Sequence, residues 1–189
     1  MEDETRIVLK LIAGLLDYPG SESFAARLRA RQEVAEEVSS EIGRIMWQFQ
    51  HCDRVELEQL YVETFDFNPK AALYVTAHEL ADSRDRGEAL IELTNLYHEA
   101  GYEVPDDQLA DYLPLLLELT AVRPDLVPQA VTERIGRVAY NIAQFLDDEH
   151  PYQSIFMVLY KTLGVSGEGR MTAEERPDLA DLPYPMEYR

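Results

Sequence analysis

The side chains best suited to catalysis or metal binding are few, and their spacing matches no known motif. The histidines are His51, His78, His98 and His150. A zinc-protease helix needs a second histidine four residues after the first, and a di-iron bundle needs two Glu-x-x-His motifs. The nearest approach to the latter is a single Asp147-x-x-His150. We therefore predict that each histidine is a surface or capping residue, that no metal is bound and that the chain is not an enzyme.

A glycine-rich stretch near the end of the chain superficially resembles a phosphate-binding loop. It runs over residues 164–169 and is followed by Arg170. It lacks the lysine, the hydroxyl residue and the preceding strand that hold a nucleotide phosphate. No serine lies in a nucleophile elbow either. The sequence thus predicts neither nucleotide binding nor hydrolase chemistry.

The charge of the chain is strongly negative. The 189 residues carry 17 Lys and Arg against 36 Asp and Glu, a formal net charge of −19. Such a surface repels nucleic acid and anionic lipid and attracts basic partners, including basic peptides. The alternative is that the charge serves solubility alone.

The hydrophobic content, the single cysteine and the first residues of the chain indicate its domain size and its compartment. A hydrophobic content of 46% supports one domain of ordinary size. Cys52 has no partner for an intrachain disulfide, which suits a reducing compartment. The first four residues are acidic, unlike a targeting segment, and no apolar run is long enough to cross a bilayer. We expect a cytoplasmic protein.

The elements that must position any site are helices, because apolar residues recur with helical period and strand alternation is absent. We predict an all-α, single-domain multi-helix bundle over residues 1–164 and a polar tail over 165–189. Five helices are predicted with both bounds, namely 3–17, 21–29 with Ser21 as cap, 32–51, 71–80 and 151–164. Four more are predicted from their caps or stop residues. One is capped by the Asp53–Glu56 pair and ended by Pro69, one is capped by Asp82 or Ser83 and stopped at Gly101, one is capped by Asp111, and one ends near Asp148.

Two of these helices carry specific expectations about burial. The 32–51 helix should bury Val34, Val38, Ile42, Ile45 and Phe49. The helix after Pro128 should bury Val131, Ile135, Val138, Ile142 and Phe145.

Three segments together resemble the NarJ family of nitrate reductase assembly chaperones, within the wider TorD-like group. They are YVETFD at 61–66, DSRDRGEAL at 82–90 followed by Tyr97 and Gly101, and DYLPLLLE at 111–118. The resemblance covers roughly residues 5–165, and the middle segment is the most specific. The family tends to have glycine where Ala81 stands and proline where Ala110 stands.

The resemblance implies an all-helical, cofactor-free chaperone. Such a protein binds the basic N-terminal peptide of the catalytic subunit of a molybdoenzyme and holds that subunit ready for insertion of the molybdenum cofactor. It also prevents premature attachment to the membrane partner. The alternatives are a TorD-like chaperone for a dimethyl sulfoxide, perchlorate or selenate reductase, a helical adaptor unrelated to molybdenum, and a small helical enzyme.

A basic amphipathic peptide needs an apolar groove with acidic rims. Candidate residues for binding the client peptide are the aromatic and apolar pairs one helical turn apart, Tyr61 with Phe65 and Tyr112 with Leu116. The acidic candidates for the rim are Glu63, Asp66 and Glu118. The alternative for the first group is core packing, and for the acidic residues a solvated face.

Arg84 and Arg86 are also candidates because they sit in the first turn of a predicted helix, where cations oppose the helix dipole. A structural ion-pair network would compensate them, with Asp82 and Asp85 as local partners and Glu63 or Asp66 as distant ones. The other reading is contact with the client or with a cofactor phosphate. We favour the network.

Overall fold

The computed structural model describes residues 1–20, 23–80 and 83–165, and it confirms the all-α prediction. The described residues form ten α-helices and one π-helical turn: α1 Asp3–Leu15, α2 Ser23–Ala30, α3 Gln32–Val38, α4 Ser40–His51, α5 Arg54–Tyr61, the π-turn Val62–Asp66, α6 Ala77–Leu80, α7 Arg84–Glu99, α8 Leu113–Val122, α9 Gln129–Phe145 and α10 Gln153–Leu163. The caps predicted at Ser21 and Asp82, and the predicted tail after Val165, lie outside the described residues.

The core forms where four helices meet. Helix α1 packs against α8 and α10, and α10 packs against α9, while α2 and α3 cover α4. The largest side chains sealed from solvent include Tyr152 and Phe156 of the α10 region and Leu9 and Ile12 of α1. None of the helices in the described ranges is long and apolar enough to span a membrane.

The single helix predicted over residues 32–51 is wrong, because the chain breaks at Ser39. Ser39 is extended, with φ −156° and ψ 112°, and its hydroxyl accepts a hydrogen bond from the Ile42 N–H at 3.3 Å. The serine thereby caps α4 and ends α3. The break turns the face of α3, so that Val34 is 43% exposed and Ala35 is buried in its place.

The short buried helix predicted over residues 71–80 is also wrong in its first part. Only Ala77–Leu80 is helical. Before it, the chain is extended and pairs with the residues ahead of α8: the Val75 N–H donates to the Asp111 carbonyl at 3.0 Å, and the Leu113 N–H donates to the Leu73 carbonyl at 2.7 Å. Alternate residues are consequently buried, namely Ala71, Leu73 and Val75.

The prediction that Asp111 caps the following helix is wrong as well. The N-cap of α8 is Tyr112, which makes no side-chain cap, and the Asp111 carboxylate accepts a hydrogen bond from the Thr76 N–H at 3.1 Å instead. Pro114 does lie in the first turn. The predicted core positions of α8 are confirmed: Leu113, Leu116, Leu117 and Ala121 are buried.

Other predicted helix ends are confirmed. The Asp53 carboxylate accepts hydrogen bonds from the Val55 and Glu56 N–H groups at 2.8 and 3.2 Å. Gly101 follows α7 with φ 83°, and Gly164 ends α10 with φ 61°, a backbone region that suits glycine. Helix α9 ends at Phe145, earlier than predicted. The predicted burial of Phe145 is wrong, because this last residue of the helix is 40% exposed.

Candidate functional site

A cleft of about 200 Å³ opens between the α1–α2 turn, the π-turn and the extended segment ahead of α6. We call it the tyrosine cleft. It is lined by Tyr18, Tyr61, Phe65, Asp66, Leu73, Tyr74, Gln108 and Tyr112. Four of the residues singled out in the sequence therefore meet at one place, although they come from separate segments of the chain.

The π-turn carries two residues of the cleft lining, Phe65, which is buried, and Asp66, which is exposed. The Phe67 N–H donates to the Val62 carbonyl at 3.3 Å, which is the wider five-residue spacing of a π-helix. Thr64 favours the widening, because its hydroxyl donates to the Leu60 carbonyl at 2.5 Å and so competes with the regular α-helical backbone bond. Phe65 is buried as a result.

The aromatic rings of the cleft differ in exposure. Tyr61 and Phe65 are only 5% and 4% exposed, and both rings pack edge-on to the buried Tyr152. Tyr18 is 46% exposed, and its ring forms a T-shaped contact with the Tyr61 ring, with the two ring centroids 5.3 Å apart. The rings of Tyr61 and Phe65 thus belong to the core and also form the floor of the cleft.

The opposite wall of the cleft is another tyrosine pair. The half-buried Tyr74 ring lies 5.7 Å from the Tyr112 ring, and the two residues form an antiparallel bridge through their backbones. The mouth of the cleft therefore presents two accessible aromatic side chains, Tyr18 and Tyr74.

Two phenol groups form a hydrogen bond inside the cleft. The Tyr61 hydroxyl lies 3.0 Å from the Tyr112 hydroxyl and 3.4 Å from the Leu16 carbonyl, to which it can donate. Burial raises the pKa of Tyr112 to about 12, with the charges of Asp17 and Asp66 adding to the effect. Burial raises the pKa of Tyr61 still further. Both phenols are therefore neutral at physiological pH.

Acceptor groups without partners surround this pair. The Gln108 side-chain oxygen is buried and has no hydrogen-bond partner. Asp66 is exposed at the rim and makes no ion pair with any residue in the described ranges. No lysine or arginine is among the described residues that line the cleft. The site is accordingly rich in acceptors and negative charge.

Arg86 stabilises the pairing of the two segments that carry Tyr74 and Tyr112. Its Nη2 lies 3.7 Å from Asp111 Oδ2, and its Nε–H donates to the Thr76 hydroxyl at 3.2 Å. Thr76 in turn donates to the same carboxylate oxygen through both its N–H and its hydroxyl. We call Arg86, Thr76 and Asp111 the arginine latch. It joins the start of α7 to the strand-like pairing that positions Tyr74 and Tyr112.

The latch supports the structural ion-pair reading for Arg86, with a partner that the sequence analysis did not name. That partner is Asp111, which the sequence predicts to be a helix cap. The sequence signal for its burial is the position of its carboxylate beside a run of apolar residues. Arg84 behaves differently: its side chain is 94% exposed, and its Nε lies 3.9 Å from a carboxylate oxygen of Glu88, which is also exposed. Of the two arginines, only Arg86 enters a buried network.

The remaining predicted site residues do not line the cleft. Glu63 and Glu118 are exposed, as either a rim or a solvated face would require. Leu116 is 1% exposed and belongs to the core, so it is not part of a surface groove.

His150 uses both of its ring nitrogens in contacts with other residues. Its Nδ1 accepts a hydrogen bond from the Tyr152 N–H at 3.2 Å, close to the start of α10, and its Nε2 lies 3.2 Å from the Thr64 hydroxyl. Burial lowers its pKa, against the smaller opposing effect of Asp147. Within the described part of the chain, no three His, Cys, Asp or Glu side chains are placed to hold a metal ion.

Comparison with known proteins gives a consistent result. Residues 24–152 match the family model described as the nitrate reductase delta subunit. The nitrate reductase molybdenum cofactor assembly chaperone NarJ of Escherichia coli (strain K12) is 27% identical over 191 residues, covering 96% of this chain and 80% of that protein. NarJ of Bacillus subtilis (strain 168), whose name gives the same role, is 29% identical over 166 residues, covering 85% and 90%.

A solved structure supports the fold. The crystal structure of a redox enzyme maturation protein from Archaeoglobus fulgidus matches with a TM-score of 0.66 at 21% identity, covering 84% of this chain and 93% of that one. At this identity the likeness establishes the fold alone, and it confirms the predicted all-helical architecture.

Proposed function

The chain belongs to the nitrate reductase delta subunit family, and from that premise we propose that it is a chaperone for the catalytic subunit of nitrate reductase. It assists insertion of the molybdenum cofactor and assembly of the complex, and it catalyses no reaction itself. The observation that carries the proposal is the match to assembly chaperones over most of both chains. We further propose that it acts in the cytoplasm.

The finer part of the proposal concerns how the client is held. We propose that the chain binds a basic N-terminal peptide of the catalytic subunit. The net charge of −19 favours such a ligand over an acidic one. The tyrosine cleft adds exposed aromatic rings beside the carboxylate of Asp66, which is the combination of apolar surface and acidic rim that a basic amphipathic peptide requires.

The test is calorimetry with a synthetic peptide copied from the N-terminus of the nitrate reductase catalytic subunit of the same organism. We expect micromolar or tighter affinity, near −8 kcal/mol. Binding should weaken as salt rises, because charges at an exposed rim are screened over about 10 Å at 0.1 M. A scrambled peptide of the same composition is the control. No binding at low salt would refute the peptide-receptor proposal.

The identity of the client needs a second measurement. The tagged chain should be purified from cells grown anaerobically with nitrate, and the proteins that accompany it identified by mass spectrometry. We expect the catalytic subunit of nitrate reductase. Recovery of another molybdoenzyme would assign the chaperone to that client, and recovery of unrelated proteins alone would favour an adaptor.

A further inference from the structure

We infer that the tyrosine cleft binds the side chain of one arginine of the client peptide, and that this single contact sets the register of the peptide on the chaperone. The inference rests on the proposed function and deepens it. It follows from three independent properties of the cleft, which are its unpaired acceptors, its charge and its size.

The first property is an imbalance between donors and acceptors. The Gln108 side-chain oxygen is buried with no donor, and leaving a buried acceptor unpaired is unfavourable. The Tyr112 hydroxyl uses its proton or its lone pair with Tyr61 and keeps acceptor capacity. The carboxylate of Asp66 can only accept at neutral pH. A guest that completes the cleft must therefore be a donor with several N–H groups.

The second property is the sign of the charge. The negative charges of Asp17 and Asp66 are both felt at Tyr112, where they raise the pKa of the phenol. The positive charge of Arg86 reaches Tyr74, but Arg86 is paired with the buried carboxylate of Asp111. The cleft thus favours a cation, and the faces of tyrosine rings attract cations as well.

The chemistry further separates arginine from lysine. A guanidinium is planar, stacks on aromatic rings and presents five N–H donors spread over a rigid fork. The acceptors here come from three different residues of the cleft lining, Gln108, Tyr112 and Asp66. A compact ammonium group can reach fewer of them at once.

The third property is size. At about 200 Å³ the cleft is smaller than the roughly 300–1,000 Å³ of sites that hold whole small molecules. It suits a single long side chain. A dinucleotide-bearing cofactor would be too large, and its phosphates would meet the carboxylate of Asp66 instead of a cation.

The experiment uses a probe that does not depend on the client. N-acetyl-arginine amide is titrated into the full chain while the tyrosine ring signals are followed by NMR. We expect saturable shifts at millimolar concentration. N-acetyl-citrulline amide has nearly the same shape without the charge, and it should bind at least tenfold more weakly, which is about 1.4 kcal/mol. N-acetyl-lysine amide should fall between the two.

Two variants locate the site. Asp66→Asn should weaken arginine amide binding about three- to fivefold, as expected for one exposed charge pair. Glu63→Gln removes the same charge from an exposed position outside the cleft, and it should change binding less than twofold. Gln108→Met should weaken binding while leaving the melting temperature equal or higher, because it deletes an unpaired buried acceptor. Gln144→Met, at an exposed position of α9, is its matched control.

The client peptide gives the second arm. Each arginine of the peptide is replaced in turn by citrulline, and we expect one replacement to cost much more affinity than the others, with that loss about three- to fivefold smaller in the Asp66→Asn variant. If the peptide binds and the arginine amide produces no saturable tyrosine shift, the cleft proposal is wrong and the chaperone proposal stands. If the arginine amide binds and the peptide does not, the cleft binds arginine and the proposed peptide recognition is wrong.

Discussion

Replacing Arg86 by alanine tests the arginine latch directly. The Asp111 carboxylate is fully buried and the Arg86 side chain is 18% exposed, so the pair is well shielded from water. Removing one partner of such a pair costs about 3–5 kcal/mol. Asp111 keeps its hydrogen bonds from Thr76, which places the loss near the lower limit, at about 3 kcal/mol. For a chain of this length, that corresponds to a fall in melting temperature of roughly 6–12 °C.

The assay is a thermal melt of purified protein beside a nitrate reductase activity assay in cells. Arg84→Ala is the matched control, because the Arg84 side chain is 94% exposed. Its melting temperature should change by less than about 2 °C. The double variant Arg86→Ala with Asp111→Asn should recover more than half of the loss, since the amide keeps an acceptor for Thr76 and carries no charge to strand.

A normal melt of Arg86→Ala would refute the latch as a source of stability. If that variant also failed to support nitrate reductase activity, Arg86 would act on the client or on its cofactor instead. A lowered melting temperature with activity reduced only in proportion to the folded fraction is the outcome that we expect. A normal melt together with normal activity would contradict both accounts.

Three further predictions concern helix ends and pH. Ser39→Ala removes the cap of α4 and should lower the free energy of unfolding by about 1 kcal/mol, as measured by chemical denaturation. The control is Ser40→Ala, at the neighbouring serine that does not cap the helix. Gly101→Ala places a side chain at φ 83° and should cost roughly 1–2 kcal/mol, whereas Gly87→Ala in open space within α7 should stabilise by about 0.5–1 kcal/mol. Because burial lowers the pKa of His150 in the folded state, its contribution to stability should be complete above about pH 6.5 and be lost as the pH falls below that value. The His150→Gln variant should show a flatter dependence of unfolding free energy on pH, and an unchanged dependence would count against this account.

The parts of the fold that the sequence predicted are those with local causes. Asp53 caps α5 by accepting hydrogen bonds from the N–H groups two and three residues further along the chain. Gly101 ends α7 because the backbone there has positive φ. Because such features depend on a few neighbouring residues, they can be predicted from the amino-acid types at those positions. Helical spacing placed Tyr61 and Phe65 on one face, and the burial of both rings agrees with the core-packing alternative to the binding role predicted for them.

The errors arose where distant residues decide the local conformation. The extended segment after Ala71 is held by Asp111 and Leu113, which lie far along the chain. Residues 71–75 are apolar at every position, and a run of apolar residues this short fits a strand or a buried helix equally well. The prediction of Asp111 as a helix cap is wrong for a similar reason. Its partners Thr76 and Arg86 lie far along the chain, and only the fold brings them beside it.

The binding function of the tyrosine cleft is best tested at lining residues that do not support the core. Tyr61 and Phe65 form the floor, yet both pack on Tyr152 and are almost fully buried. Truncating either ring would remove core packing at a cost of about 3–5 kcal/mol, so a loss of client binding in such a variant would not separate recognition from unfolding. Asp66 and Gln108 contribute a charge and an unpaired acceptor without supporting the core. A loss of binding in those variants at unchanged melting temperature can therefore be attributed to the cleft itself.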